Sequence, residues 1–216
     1  PEAVPVQTPD PLSLADQADR VREEQLWTVP LGPGELLSDK DLVRRAGFGR
    51  TPVREAIQRL AADGLLRVLP RKGLMVTPLL RSDLAAIIEA KKVLKRLLVV
   101  KAAERATPDQ RQVLKSFAMH AQTVMNDPDD VLRLDRHLDK LLAAACQNKF
   151  LVQALIPMQS QCRRLWYMQR QKINILRSAQ LLGGLAGAVA DQDRVGAIRA
   201  LDEVIAALQD IVNRLD

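Results

Sequence analysis

Two patterns of apolar positions divide the chain near Pro78. Before it, short helical patterns give way to two brief apolar runs. After it, apolar residues recur every three or four positions, the spacing that lines one face of an α-helix. We therefore predict a mixed domain over residues 13–78 and an all-helical domain over residues 82–216. The proline-rich residues 1–12 are predicted to form a flexible arm.

Two short helices with a tight turn between them are predicted over residues 38–63. Ser38 is an N-cap candidate with Asp41 three residues later, and Gly47 ends the first helix. Thr51 and Pro52 then begin a second helix as N-cap and first residue, because proline loses nothing where the amide has no helical partner. The pair is typical of a helix-turn-helix.

The second helix of this pair is predicted to end at Gly64, before two short strands at 65–69 and 74–77. Residues 70–73, which read Pro-Arg-Lys-Gly, join these strands as a basic hairpin. An earlier helix is predicted over residues 14–27, with Ser13 as its cap. Three helices and a hairpin together predict a winged helix-turn-helix.

The remaining sequence predicts six helices and no strand. Three glycines at positions 183, 184 and 187 either weaken the fifth helix or mark close packing against a neighbour. The predicted helices span about 82–105, 107–126, 127–146, 150–171, 174–190 and 191–215.

Composition supports a mainly α-helical protein. Hydrophobic residues make up 47% of the chain but aromatic residues only 3%, a mixture that favours helices over a β-sandwich. No uncharged apolar run reaches the roughly 18 residues that a membrane span needs, and the N-terminal sequence lacks the order of a signal peptide. Cys146 and Cys162 match no metal-binding spacing, which favours free thiols in a reducing cytoplasm.

Basic charge is concentrated in the predicted winged domain. Residues 36–81 hold ten Lys or Arg and four Asp or Glu, a net charge of +6, which equals that of the whole chain. An arginine at the start of a recognition helix can donate two hydrogen bonds to guanine, and a threonine with free amides beside it suits a phosphate. Charge and motif together predict that this domain binds double-stranded DNA.

The string RTPVREAIQRLAADGLL at residues 50–66, followed by a glycine-bearing basic wing, resembles the DNA-binding domain of the GntR family of bacterial transcriptional regulators. The helical remainder resembles the effector-binding FCD domain of the FadR-type subfamily. Gly49 departs from the serine that is common in the family at that position. The resemblance implies DNA contacts at Lys40, Arg44, Arg50, Thr51, Arg54, Arg71, Lys72 and Gly73.

The resemblance also implies how such a protein acts. A cytoplasmic homodimer, associated with the nucleoid when bound to DNA, reads a short inverted repeat, because twofold protein symmetry imposes a palindromic operator. A small-molecule effector in the C-terminal domain, such as an organic acid or an acyl thioester, modulates a regulator of the repressor type. The alternative is a non-specific basic or architectural DNA-binding protein with a vestigial ligand domain. No enzyme site stands out in the sequence.

Many FCD domains hold a metal through an aspartate, a histidine four residues later, and two further histidines. The first position is Asp135 here, but the second is Asp139, and the last two align with Leu182 and Val204. His137 lies two residues after Asp135 and is expected to point away from it. Two carboxylates without imidazole make a poor transition-metal site. We therefore expect no metal or other cofactor, and Asp135 and Asp139 become polar groups on a pocket wall or the surface.

Lys91 and Lys95 interrupt an apolar helix face, and the sequence leaves their partners open. A salt bridge to Asp135 or Asp139 in place of the metal is one reading, a bound carboxylate or acyl thioester is another, and extension of both lysines to solvent is the third. A further cluster at residues 163–171 either lines a cavity or packs at a dimer contact. The predicted effector pocket comprises Lys91, Lys95, Asp135, Asp139, Arg164 and Tyr167.

Overall fold

The computed structural model describes residues 33–47, 49–123 and 127–215, and the chain divides into two compact units between Pro78 and Leu79. The arm predicted over residues 1–12 and the helix predicted over 14–27 with its Ser13 cap lie outside the described residues. None of the helices in the described ranges combines the length and apolar character that a membrane crossing requires.

The first unit is a winged helix-turn-helix. Its strands form an antiparallel sheet in the order β1-β3-β2, with Leu74 of β3 paired to Leu37 on one side and Val68 on the other. A small core of leucine, valine and isoleucine side chains lies between the sheet and the helices. The elements are β1 (Leu36–Leu37), α1 (Asp39–Ala46), α2 (Arg50–Ala62), β2 (Leu66–Leu69) and β3 (Gly73–Val76).

The predicted start and end of α1 are confirmed. The Ser38 side chain accepts from the Asp41 amide, and the Asp41 carboxylate accepts from the Ser38 amide, which completes a capping box. Gly47 follows in the left-handed conformation with φ of 70°. These short-range bonds depend only on residues three or four apart, which is why the sequence predicts them well.

Two details of the winged unit differ from the prediction. Helix α2 begins at Arg50 with Gly49 as N-cap, so Thr51 and Pro52 lie inside the first turn. Proline is tolerated there because the first amides of a helix lack partners in any case. The predicted end at Gly64 is confirmed, because this glycine follows the C-cap with φ of 72° and its amide donates to the Ala61 carbonyl. Strand β1 was not predicted, because two residues carry no recognisable alternation.

The second unit is a bundle of six helices around one continuous apolar core. Helix α3 is central and packs against α5, α6 and α8, while α4 packs against α7 and α7 against α8. The helices are α3 (Arg81–Arg105), α4 (Pro108–Ala121), α5 (Pro128–Cys146), α6 (Lys149–Gln169), α7 (Ile175–Ala190) and α8 (Arg194–Asn213).

Side-chain caps fix most of the helix starts in this bundle. Thr107 forms a capping box with Gln110, and Asp193 caps α8 by accepting from the Gly196 amide. The prediction started α3 one residue too late: its N-cap is Leu80, and no side chain caps the helix. It was also too long for α4, because the Thr123 hydroxyl and amide both donate to the His120 carbonyl and tighten the last turn.

The three glycines of α7 differ in their surroundings. A Cβ at Gly183 would lie 3.2 Å from both the Ala118 carbonyl oxygen and the Ala121 Cβ. A Cβ at Gly184 or Gly187 would meet nothing within 4 Å. Of the two readings of this stretch, close packing against α4 therefore holds for Gly183 alone.

Candidate functional sites

Helix α2 separates apolar and basic side chains on two faces. Val53, Ile57 and Leu60 are buried in the core of the winged unit, whereas Arg50, Thr51 and Arg54 are exposed. Gly49 makes no side-chain cap, so the first amides of the helix stay available to an anion. The exposed face thus offers both guanidinium groups and free amides at one helix end.

The charged residues around this face are weakly held within the unit. Arg44 contacts Asp41 at 2.6 Å, and the Arg54 guanidinium lies 3.8 Å from Asp39, with the side chain of Arg54 76% exposed. Lys40 is exposed on α1. Exposed ion pairs contribute only about 0–1 kcal/mol, so these cations can exchange a carboxylate for a phosphate or a base at small cost.

The wing is shaped by two residues with positive φ. Arg71 and Gly73 have φ of 64° and 95°, and a Cβ at Gly73 would lie 2.5 Å from the Leu37 carbonyl oxygen. Only glycine fits this close approach of β3 to β1. The side chains of Arg71 and Lys72 are exposed at the tip of the hairpin. All eight residues predicted to contact DNA therefore lie in the winged unit, and their contacts stay predictions.

A cavity of about 190 Å³ opens among the helices of the second unit. Its wall is largely apolar, with contributions from α5, α6, α7 and α8. Its polar groups include Lys91 of α3 and Asp135 of α5, the Cys162 thiol and Arg163 of α6, and a second carboxylate, Asp210 of α8. Three cations at the cavity, Lys172, Arg177 and Arg214, are exposed. The apolar part of the wall includes Val131, Trp166, Leu182, Val204, Leu208 and Ile211.

Beside the cavity, four charged side chains form a partly buried network. The Lys95 ammonium donates to Oδ1 of Asp139, and Arg163 Nη2 donates to Oδ2 of the same carboxylate at 2.7 Å. Arg163 Nε also donates to Asp135 Oδ2 at 3.0 Å. The side chains of Lys95 and Asp139 are only 6% and 11% exposed. Two cations and two carboxylates thus neutralise each other in the interior.

This network keeps Asp139 and Arg163 ionised. Burial by itself would raise the pKa of Asp139, but the charges of Lys95, Arg163 and Lys91 outweigh burial and lower this pKa to about 2. Burial likewise opposes the charge on Arg163, yet the two carboxylates raise its pKa. At Lys91, burial is again overcome, by Cys162, Asp135 and Asp139, so that its pKa is raised. Arg163 and Lys91 therefore carry their charge at neutral pH.

The donor set does not fit the metal site of the family. Within the three described ranges, no three His, Cys, Asp or Glu side chains are placed to hold a metal ion. The positions aligned with the downstream histidines, Leu182 and Val204, are apolar and line the cavity. His137 turns toward α4, where its ring meets Phe117 edge-on at 5.5 Å. The Asp139 oxygens are both engaged by cations rather than directed to a vacant site.

The structure brings together only part of the predicted effector pocket. Lys91 and Asp135 line the cavity, whereas Lys95 and Asp139 lie behind its wall in the ion-pair network. Arg164 is buried outside the cavity lining; burial lowers its pKa to about 10, and its terminal nitrogens have no hydrogen-bond partner in the described part of the chain. Tyr167 stacks under Arg170, 4.0 Å away, also outside the lining.

Arg163, Trp166 and Cys162 line the cavity but are absent from the predicted pocket. The sequence places Arg163 and Trp166 in the cluster at residues 163–171 and predicts a free thiol for Cys162. A usable signal existed for two of them. Cys162 and Trp166 are four residues apart on α6, so they share a helix face. No local pattern indicates that Arg163 reaches across to α5.

Comparison with known proteins agrees with this fold. The model described as bacterial regulatory proteins, gntR family, matches residues 17–76, and the FCD domain model matches residues 86–207. The FCD match alone covers more than half of the chain. The protein is thus a transcriptional regulator of two-domain type, with a DNA-binding-type winged helix and an effector-type helical domain. It belongs to the GntR family, with an FCD domain as its helical unit.

Similar sequences occur in several bacteria. YdhC, an HTH-type transcriptional regulator of Bacillus subtilis (strain 168), is 29% identical over 132 residues, which are 60% of this chain and 59% of YdhC. An HTH-type transcriptional regulator of Agrobacterium vitis is 32% identical over 121 residues, 53% of this chain and 71% of that protein. The chain thus matches only about three fifths of the length of YdhC. The family and these relatives are transcriptional regulators rather than enzymes.

Solved structures show the same fold. Escherichia coli McbR/YncC superimposes with a TM-score of 0.75 over 94% of this chain and 99% of that one, at 21% identity. A GntR-type structure from Rhodococcus sp. RHA1 gives a TM-score of 0.66 over 95% and 100% of the two chains, at 16% identity. GntR regulators bind DNA and FCD domains bind small-molecule effectors.

Proposed function

We propose that this chain is a homodimeric transcriptional repressor that reads a short inverted repeat and is released by a small molecule bound in its helical unit. The observation that carries the proposal is the exposed start of α2, where Arg50, Thr51 and Arg54 lie opposite a buried apolar face. The protein acts in the bacterial cytoplasm and associates with the nucleoid when bound to DNA.

In this proposal, the recognition helix supplies specificity and the wing supplies affinity. Arg50 and Arg54 donate to guanine edges in the major groove, where a bidentate contact discriminates against a wrong base by roughly 1–3 kcal/mol. Thr51 and the open amides of the first turn bind a phosphate. Lys40, Arg44, Arg71 and Lys72 hold the backbone, and Gly73 lets the wing approach it.

The effector acts through the cavity of the second unit. A ligand lowers DNA affinity only if it binds the DNA-incompetent arrangement of the dimer more tightly than the competent one. The cavity supports this role because it combines an apolar wall with a buried ammonium and a carboxylate, the few placed polar groups typical of ligand pockets.

The experiment compares Arg54→Ala with a matched variant in the same helix. Duplexes that the protein selects from a random pool are labelled, and binding is measured against random competitor at fixed salt. Arg54→Ala should reduce the preference for selected over random duplex by roughly 1–3 kcal/mol. Arg59→Ala removes the same charge from another face of α2, where Arg59 pairs with Glu55 at 4.0 Å, and should leave that preference unchanged.

The alternative of a non-specific basic binder predicts a different result. Every lost cation would then weaken selected and random duplex alike, and Arg54→Ala and Arg59→Ala would behave identically. Lys72→Ala serves as the internal reference, because loss of a phosphate contact weakens all sequences to the same extent in either case. Equal behaviour of the two arginine variants would refute the assignment of α2 as the recognition helix.

A further inference from the structure

One cation beside the ion-pair network has no carboxylate in direct contact. The group comprises three cations, Lys91, Lys95 and Arg163, and two carboxylates, Asp135 and Asp139, a formal net charge of +1. Lys95 and Arg163 are matched by the two carboxylates through direct contacts. The unmatched charge is therefore that of Lys91.

Lys91 is buried, yet it lies in the wall of the cavity. Only 9% of the residue is exposed, and it forms no ion pair with a carboxylate in the described part of the chain. Its neighbour in the wall is the Cys162 thiol, a weak acceptor that can take at most part of an ammonium with three donors. The nearby carboxylates keep Lys91 charged without contacting it directly, so an incoming anion would be its first direct anionic partner.

The same arrangement disfavours a metal ion. A divalent cation would raise the charge of the group from +1 to +3 in a partly dehydrated interior, and like charges at such short range repel strongly. It would also have to displace Lys95 and Arg163 from Asp139, since both oxygens of this carboxylate are engaged. Leu182 and Val204 offer no lone pair in place of the missing histidines.

The cavity also limits the size of its ligand. Its volume of about 190 Å³ is somewhat larger than the roughly 150 Å³ apolar cavity that is known to admit benzene. A single ring or a short aliphatic chain with one carboxylate fits this space, beside the apolar surfaces of Trp166, Leu182 and Leu208. The nucleotide of an acyl thioester would have to lie outside this space.

We propose that this cavity binds a small monocarboxylic acid directly on the Lys91 ammonium, without a metal ion, and that the Lys95–Asp139–Arg163–Asp135 network takes the structural place of the metal. The proposal rests on the proposed function, because it names the ligand class of the effector cavity. One carboxylate brings the charge of the group to zero, which neither a neutral ligand nor a metal-bound one achieves.

The test measures binding of benzoate and hexanoate to full-length protein stripped with a chelator, by titration calorimetry. Benzamide and hexanamide serve as uncharged probes of nearly the same shape. The carboxylates should bind at least about tenfold more tightly than the amides, a difference of about 1.4 kcal/mol. Addition of Zn²⁺, Ni²⁺ or Mn²⁺ should leave the carboxylate affinity unchanged.

Variants locate the binding group. Lys91→Met should weaken carboxylate binding at least about tenfold, and Lys91→Arg should retain most of it. Lys115→Met, which removes an exposed cation outside the cavity lining, should leave it unchanged. Circular dichroism melting checks that Lys91→Met folds, and the Lys91→Arg result keeps the test informative if it does not. Absence of carboxylate binding, a requirement for metal, or full affinity in Lys91→Met would each overturn the inference.

Failure here is distinguishable from failure of the proposed function. Carboxylate binding without sequence-specific DNA binding would leave the cavity assignment standing and refute the regulator. Specific DNA binding with carboxylate affinity independent of Lys91 would refute the cavity assignment alone.

Discussion

The buried ion-pair network makes a sharp prediction for stability. Asp139→Asn removes the charge that Lys95 and Arg163 share, without changing the size of the side chain. Arg163 keeps Asp135 as a partner, but Lys95, whose side chain is 6% exposed, is left without a carboxylate among the residues described. Breaking a buried pair on one side costs about 3–5 kcal/mol. We expect a loss near the lower end, about 3 kcal/mol, because Arg163 is 20% exposed and stays paired.

The matched control is the exposed pair of Arg177 and Glu203 in the same unit. These side chains are 58% and 49% exposed and lie 3.2 Å apart. Exposed pairs contribute about 0–1 kcal/mol, so Glu203→Gln should change the free energy of unfolding by less than that. A second variant, Lys95→Met in the Asp139→Asn background, should recover most of the loss, because it removes the unpaired ammonium.

The assay is urea unfolding followed by tryptophan fluorescence in a Trp27→Phe background. The sequence contains two tryptophans, so Trp166 then reports the helical unit alone. The reasoning would be refuted if Asp139→Asn lost no more stability than Glu203→Gln. It would also be refuted if Lys95→Met failed to recover any of the loss, since the cost would then not arise from the buried charge.

Three further predictions use the same chain. Because the pKa of Asp139 is lowered from 3.8 to about 2, its contribution to stability is present above pH 4 and is lost as the pH falls toward 2. The free energy of unfolding should therefore drop more steeply over this range in the parent protein than in Asp139→Asn. Urea titrations at several pH values will measure the difference. Gly184→Ala, where a Cβ meets nothing within 4 Å, should stabilise the helical unit by about 0.5–1 kcal/mol. Gly183→Ala should stabilise it less, or destabilise it, because its Cβ lies against Ala118 and Ala121. Equal urea midpoints of the two variants would contradict this. Gly73→Ala should destabilise the wing more than Gly34→Ala. Both glycines have positive φ, but only a Cβ at Gly73 would contact the backbone, at the Leu37 carbonyl. Hydrogen exchange in β3 will compare the two variants, and equal protection would count against the close approach.

Local chemistry made the winged unit predictable. The capping box of Ser38 and Asp41, the left-handed Gly47 and the apolar face of α2 all involve residues within one or two helical turns. The start of α2 was misplaced because Gly49 and Thr51 are both acceptable N-caps, and only the packing of the turn decides between them. Strand β1 exists because β3 pairs with it, which no local pattern records.

The candidate effector site was predictable only in part. The sequence indicated that Lys91 and Lys95 interrupt an apolar face, and it left a salt bridge, a bound anion and extension to solvent open. The structure pairs Lys95 with Asp139. Lys91, one turn earlier on the same face, instead faces the cavity. That division, and the bridge from Arg163 to both carboxylates, depend on how α5 and α6 cross α3. Crossing geometry arises from side-chain packing between segments far apart in sequence, which one sequence does not encode visibly.

Selection from a pool of random duplexes tests whether this chain reads DNA as a symmetric dimer. Purified protein is mixed with a pool of random duplexes, and the bound fraction is sequenced after several rounds at fixed salt. We predict enrichment of a short inverted repeat, with half-sites separated by about one helical turn, roughly 10 base pairs, or a multiple of it. A bound fraction with no enriched sequence, or with a single unpaired half-site, would contradict the account.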